Sequence, residues 1–275
     1  MSPYEIGVCT WSLQAPDIVT SLSKIKHELN LNLAQLGFFD DSVLDEANDA
    51  KILADVAASG VNLSGTCVGF VGEDYSTIQA IARTGGYVPD DTFDHRYAIT
   101  ARVAEITRKL GVKIFTVHVG FVPEEKGAVY DKVVDRLKRI ADLLGEKGLT
   151  LTMESGQEAP DDLMAFMDAV DAPNVTANFD PANLILYGVA EPMAALDVLK
   201  GRIGHVHMKD ATWSKSPRES WGEEVVLGTG EAKIPDLVAK LEADGYTGPL
   251  VIEREAGETR VADIQKAVEL LNSLP

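Results

Sequence analysis

Three carboxylates and one imidazole occupy matching places in four short β-rich runs. Glu154 ends residues 149–154, Asp180 ends 175–180, His207 lies next to last in 203–208, and Glu253 ends 250–253. Were these runs parallel strands of one sheet, the four side chains would converge at its C-terminal rim. Gathered there without a partner, they would cost on the order of several kcal/mol per charged group. A single divalent cation answers that need most simply. Three carboxylates and one imidazole make a hard, oxygen-rich ligand set, which suits Mn²⁺ first, with Mg²⁺, Co²⁺ or Zn²⁺ as alternatives. Such a set leaves positions open for the oxygens of a small molecule.

Successive strand residues point to opposite sides, and the last five runs sort cleanly on that rule. One parity is apolar, for example Phe115, Leu151, Ala177, Val206 and Ile252, and is fit to face helices. The other carries Thr116, His118, Thr152, Glu154, Asn178, Asp180, His205, His207 and Glu253. His205 lies one layer deeper than His207 and reads as a satisfied core histidine. His118 could orient a ligand carboxylate or touch a bound molecule. His27 and His95 fall on helical or loop surface.

The elements that must position these groups alternate along the whole chain. Strands are expected at 6–10, 33–38, 63–68, 114–119, 149–154, 175–180, 203–208 and 250–253. Between them apolar residues recur at helical spacing, most clearly over 92–110, 128–146, 160–170 and 234–243, and a last helix is expected over 259–271. Gly111, Gly148 and Gly245 stand as stop signals after three of these helices. Eight βα units in 275 residues have the size and order of a (β/α)₈ TIM barrel, a single α/β domain over 1–275. A doubly wound open sheet is the alternative. The irregular stretch 69–91 would be a loop at the barrel mouth.

Composition narrows the partners. With 25 basic against 43 acidic residues, the net charge is −18, which disfavours a nucleic-acid surface. No apolar run reaches the length of a membrane span, and residues 1–6 lack the pattern of a leader, so a cytoplasmic protein is expected. Cys9 and Cys67 lack metal or disulfide spacing and are expected as reduced, buried thiols. Trp11, Phe70, Trp213 and Trp221 fall near loop ends, where a ring could stack on a bound molecule. No sequence feature sets the oligomeric state, and a homo-oligomer is allowed.

The motifs Met153-Glu154-Ser155-Gly156-Gln157-Glu158, Asn178-Phe179-Asp180-Pro181-Ala182-Asn183, His205-Val206-His207-Met208-Lys209-Asp210 and Val251-Ile252-Glu253-Arg254-Glu255 resemble the sugar phosphate isomerase/epimerase family of xylose isomerase-like TIM barrels. The resemblance runs over essentially the whole chain. It implies metal ligation by Glu154, Asp180, His207 and Glu253, and a sugar or sugar derivative as substrate. It also implies that Glu154 and Glu253 exchange a proton with the carbon beside a carbonyl, through an enediolate. His118, Gln157, Asn183, Lys209 and Trp11 are the candidate substrate contacts. Two positions depart from the ketose 3-epimerases of that group, which carry histidine where Asn183 stands and arginine where Trp213 stands. Lys209 and Asp210 give the pattern seen in relatives resembling inosose dehydratase. The function implied is therefore a sugar isomerase or epimerase. The alternatives are a lyase of the same fold, of the inosose dehydratase or 3-keto-glycoside type, and a non-catalytic sugar-binding barrel. No Gly-rich phosphate loop is present, and Lys209, Arg218 and Arg254 are the basic residues expected near the mouth.

Overall fold

The computed structural model describes residues 4–274. Residues 1–3, part of the stretch read for a leader, and residue 275 lie outside the described residues. In chain order the strands are β1 (Ile6–Cys9), β2 (Leu33–Phe38), β3 (Asn62–Val68), β4 (Ile114–Val117), β5 (Thr150–Glu154), β6 (Val175–Phe179), β7 (Ile203–Met208), β8 (Asp210–Thr212), β9 (Glu223–Val225) and β10 (Leu250–Ile252). The helices are α1 (Ile18–His27), α2 (Asp49–Ser59), α3 (Ile78–Thr84), α4 (Phe93–Leu110), α5 (Ala128–Glu146), α6 (Pro160–Val170), α7 (Pro181–Leu186), α8 (Pro192–Leu199), α9 (Ile234–Ala243) and α10 (Arg260–Ser273).

Strands β1 to β7 and β10 pair in parallel and close into a barrel, β10 lying between β1 and β7. Closure excludes the open doubly wound sheet. The short β8 and β9 pair antiparallel as a separate ribbon at the mouth, where the sequence offered only a loop. Helix α3 likewise lies inside the stretch 69–91 that reads as irregular. Four expected strands end earlier than their periodicity suggests, β1 at Cys9 among them, and His118, Asp180 and Glu253 stand just past β4, β6 and β10 rather than within them. There the Asp180 backbone N–H turns to the Ser155 hydroxyl, while the Glu253 N–H still donates to the Met208 carbonyl.

The outward parity is buried completely at Phe115, Leu151, Ala177 and Val206. It meets helices such as α5, which presents Tyr130, Val133, Leu137, Ile140, Ala141 and Leu144 at three- and four-residue spacing. Each large side chain so buried contributes about 1.5–3 kcal/mol, which holds the ring of helices against the barrel. The interior is polar instead. Thr116 and Thr152 hydroxyls lie 2.8 Å apart, and a register shift between Ala177 and Asn178 sets Asn178 beside His205. His205 Nδ1 lies 2.8 Å from Asn178 Oδ1 and its Nε2 lies 3.2 Å from Ser64 Oγ. Burial first, then the neighbouring His207, lowers its pKa to about 3, so this ring is a neutral packing group. No described helix is long and apolar enough to cross a membrane.

Candidate active site and metal centre

Each candidate ligand is aimed by its own local chemistry. Asp180 caps α7, ahead of Pro181, and its Oδ1 accepts from the backbone N–H groups of Ala182 at 2.8 Å and Asn183 at 3.0 Å. That fixes the carboxylate and leaves Oδ2 buried with no hydrogen-bond partner. Ser155 ties the same place to β5, its Oγ accepting from Asp180 N at 2.9 Å. Gly156 adopts φ 132°, and a Cβ there would come within 2.3 Å of Asn183 Cβ. Only glycine lets the β5 turn press on α7 so closely that Asn183 Nδ2 reaches Glu154 Oε1 at 3.1 Å.

Glu154 is further enclosed by two imidazoles, with His207 Nδ1 3.1 Å from Oε1 and His118 Nε2 3.2 Å from Oε2. Burial opposes its charge, but His118 and His207 win and hold the carboxyl far below the usual range. Glu253 accepts from Trp11 Nε1 at 2.8 Å and from Lys209 Nζ at 2.9 Å. Gly37 makes room for that indole, since a Cβ there would lie 2.6 Å from Trp11 Cε3. Lys209 is almost wholly buried and also reaches Glu255 at 2.6 Å. Burial works against its charge, and Glu253 and Glu255 raise its pKa well above the ordinary value regardless. His207 follows the same logic: burial lowers it, while Glu154 and Glu253 lift it to about 9. Asp180 goes the other way. Burial drives its pKa up, and the attraction of Lys209 does not offset the burial and the charges of Glu253 and Glu154.

Glu154, Asp180, His207 and Glu253 each offer an atom such that all four lie within 4.8 Å of one another. A buried carboxylate oxygen without a donor, facing two further carboxylates, is what a hard cation would satisfy. The residues present therefore fit a divalent ion. Cys9 borders the group, its Sγ 3.7 Å from His207 Nε2. Burial, then Glu253, keeps that thiol protonated, which makes it a poor ligand beside three carboxylates.

Above this floor opens a cavity of about 480 Å³ whose lining includes Trp11, Phe39, Tyr75, Tyr187 and Trp221 together with His118, Glu154, Asn183, Lys209 and Glu253. Of the aromatics singled out from sequence, Trp11 and Trp221 line it. Phe70 instead lies under Tyr87 and beneath Arg96, and Trp213 packs on the core. Gln157 donates to Tyr187 Oη at 3.2 Å and lines a smaller neighbouring cavity, because the turn at Gly156 points it away from Glu154. Arg254 is likewise diverted, held by Asp263 and Glu224, and Arg218 pairs with Glu124 on the surface. Asp210 gathers four backbone N–H groups, from Ala211, Gly228, Gly230 and Ala232, and so shapes the mouth loop after β9. His95 pairs with Asp41 on the surface.

Sequence reasoning missed Gln35, Cys67, Tyr187 and the acidic wall of Glu73, Glu224 and Glu255. Gln35 did carry a signal, as the one polar side chain in the run Leu33–Phe38. Tyr187 carried none, since α7 is invisible to periodicity at six residues.

The closed barrel with a carboxylate-rich C-terminal mouth defines the class: a TIM barrel with a buried acidic cluster that could hold a metal ion. The chain belongs to the xylose isomerase-like TIM barrel family, which it matches over residues 27–274. It is similar to the crystal structure of a xylose isomerase domain protein from Planctomyces limnophilus, with TM-score 0.90 and 32% identity over 98% of this chain and 96% of that one. A xylose isomerase-like TIM barrel protein from Mycobacterium smegmatis, solved in complex with magnesium, shares the fold with TM-score 0.76 and 16% identity over 99% of this chain and 97% of that one. An inosose dehydratase from Geobacillus thermodenitrificans is 28% identical over 141 residues, 46% of this chain and 47% of the relative. The alignment thus spans about half the length of that relative.

Proposed function

We propose that the protein is a divalent-metal-dependent sugar isomerase or epimerase, with Glu154 and Glu253 as the two groups that take and return a proton beside a carbonyl. The observation that carries this reading is the pair of buried carboxylates, held by different partners, at the floor of a cavity with aromatic walls. A bound cation, for which the magnesium in the similar structure is a precedent, would supply Lewis-acid stabilisation of the oxygen that gains charge. Glu154, Asp180, His207 and Glu253 would hold it. The remaining work falls to this chain's own groups. Glu154, with His118 Nε2 3.2 Å from its Oε2, can accept a proton at that oxygen. Glu253 accepts from the Trp11 N–H and the Lys209 ammonium, and a proton drawn from that ammonium and passed on by Glu253 would reach the opposite side of the same carbon.

The substrate is an uncharged carbonyl sugar. Every cation near the cavity already has partners: Lys209 has Glu253 and Glu255, and Arg260 donates to the carbonyls of Glu255 and Gly257. Glu73, Glu224 and Glu255 add negative charge to the walls, which repels a phosphate. The second reading is a lyase, favoured by the similarity to an inosose dehydratase. His118 then protonates a leaving hydroxyl after the same abstraction.

Incubation of the Mn²⁺-loaded protein with unphosphorylated keto-sugars and keto-inositols in deuterated water tests both readings. Deuterium should enter the product at the carbon beside the carbonyl, and Glu253→Gln should lower turnover by about 10²–10⁴-fold. Product of unchanged skeleton supports the isomerase, and loss of water supports the lyase. Turnover in the variant equal to the wild type would refute the assignment of Glu253.

A further inference from the structure

The deepest polar groups of the barrel form a single line that ends on His207. His207 Nε2 lies 2.6 Å from Gln35 Oε1, and Gln35 Nε2 donates to Thr116 Oγ1 at 2.7 Å. Thr116 Oγ1 lies 2.8 Å from Thr152 Oγ1, and Thr152 donates to the carbonyl oxygen of Phe115 at 3.5 Å. Gln35, Thr116, Thr152 and His207 are all fully buried, so no solvent competes for these bonds.

The Thr116 and Thr152 hydroxyls share one short bond in which either can donate, and in both cases Thr116 Oγ1 keeps a lone pair for the Gln35 amide nitrogen. With its nitrogen on Thr116, Gln35 turns Oε1 toward His207 Nε2, where a ring N–H is the donor at close range. The Cys9 thiol, 3.7 Å from the same oxygen, is a second donor to it, consistent with a carbonyl at that place.

We infer that Gln35 is a positioning residue that holds the His207 ring with its proton on Nε2, leaving the Nδ1 lone pair free toward Glu154, Asp180 and Glu253. This rests on the metal-centre reading of those four residues. The opposite tautomer would place an N–H in the space the cation would fill. It would also leave the Gln35 oxygen without its principal donor in a dry interior, so the polar line selects one tautomer. Thr116 and Thr152 act through Gln35 and touch neither the cation nor a substrate.

The test is nitrogen-15 NMR of histidine-labelled, Mg²⁺-loaded protein, with His207 assigned by substitution, together with calorimetric titration of Mg²⁺ and Mn²⁺ into wild type and variants. The wild-type His207 signal should show the proton on Nε2 and none on Nδ1. Gln35→Leu should weaken Mn²⁺ binding by about 10- to 100-fold. Gln35→Glu keeps an acceptor and should retain most of the affinity. Thr116→Val frees the amide to turn and should weaken binding in the same direction by less. A wild-type proton on Nδ1, or Gln35→Leu binding indistinguishable from wild type, overturns the inference. Should Gln35→Leu fail to fold, the wild-type spectrum decides. A wild type that takes up neither ion would instead overturn the metal-centre reading itself, which separates the two failures.

Discussion

Asp180→Asn should move stability in opposite directions with and without metal. In the metal-free protein Asp180 Oδ2 is buried without a donor, and burial together with the Glu253 and Glu154 charges raises its pKa. A carboxyl whose folded pKa lies above its unfolded value contributes stability only at low pH and loses it as pH rises through the folded value. At neutral pH the wild type therefore carries an uncompensated group that asparagine removes. The replacement keeps the cap, because asparagine serves at that position as well as aspartate. Its amide nitrogen takes the place of Oδ2 and faces the carboxylates of Glu154 and Glu253 as a donor. Relieving an unsatisfied buried polar group is worth about 1–3 kcal/mol. For a chain of this size each kcal/mol moves Tm by about 2–4 °C, so the metal-free variant should melt roughly 2–12 °C above wild type. Adding Mn²⁺ at a hundredfold excess over its Kd should stabilise the wild type by about 2.7 kcal/mol and leave the variant unmoved. Differential scanning calorimetry in chelator and in Mn²⁺ reads both effects. A metal-free variant melting below wild type would refute the reading of Oδ2 as an uncompensated group, and a retained Mn²⁺ response would refute Asp180 as a ligand.

Two further perturbations bear on the surroundings of the site. Lys209→Met removes the ammonium between Glu253 and Glu255, and breaking such a buried pair costs about 3–5 kcal/mol. The metal-free protein should accordingly melt some 6–20 °C lower, with part of the loss recovered in Mn²⁺, and an unchanged melting curve in chelator would show that Lys209 does not neutralise Glu253. Glu158 has its carboxyl pushed up to about 7 by burial and by Asp162, against the donated Val122 N–H. Its stabilising effect is full below the ordinary carboxylate range and is lost as pH rises through 7. Glu158→Gln, which can still accept from Val122, should gain about 1–2 kcal/mol on wild type between pH 4.5 and pH 8. Parallel melting temperatures across that range would contradict this.

The sequence by itself determined the repeat and its parity. Apolar residues at alternate positions of each strand, helical spacing between strands and glycine stops are local signals. They are written in the order of the chain, and a two-residue period sends Thr116, Glu154 and His207 inward whatever lies beside them. That was enough to place the four candidate ligands at one rim before any coordinates. What only the tertiary structure decided depends on which strands become neighbours and how closely they approach. Gln35 meets His207 across 172 positions of sequence, and Trp11 meets Glu253 across 242, because closing the barrel sets β1 against β10 and brings β2 around to the same interior. Lys209 could have been a substrate contact or an ion pair from its position alone. Its burial between Glu253 and Glu255 settles its present partners, since a buried ammonium must be paired. Gln157 was diverted by a turn that needs glycine at 156, and Phe70 by the guanidinium of Arg96 above it. Periodicity fixes which way a side chain points, but only packing fixes what it meets.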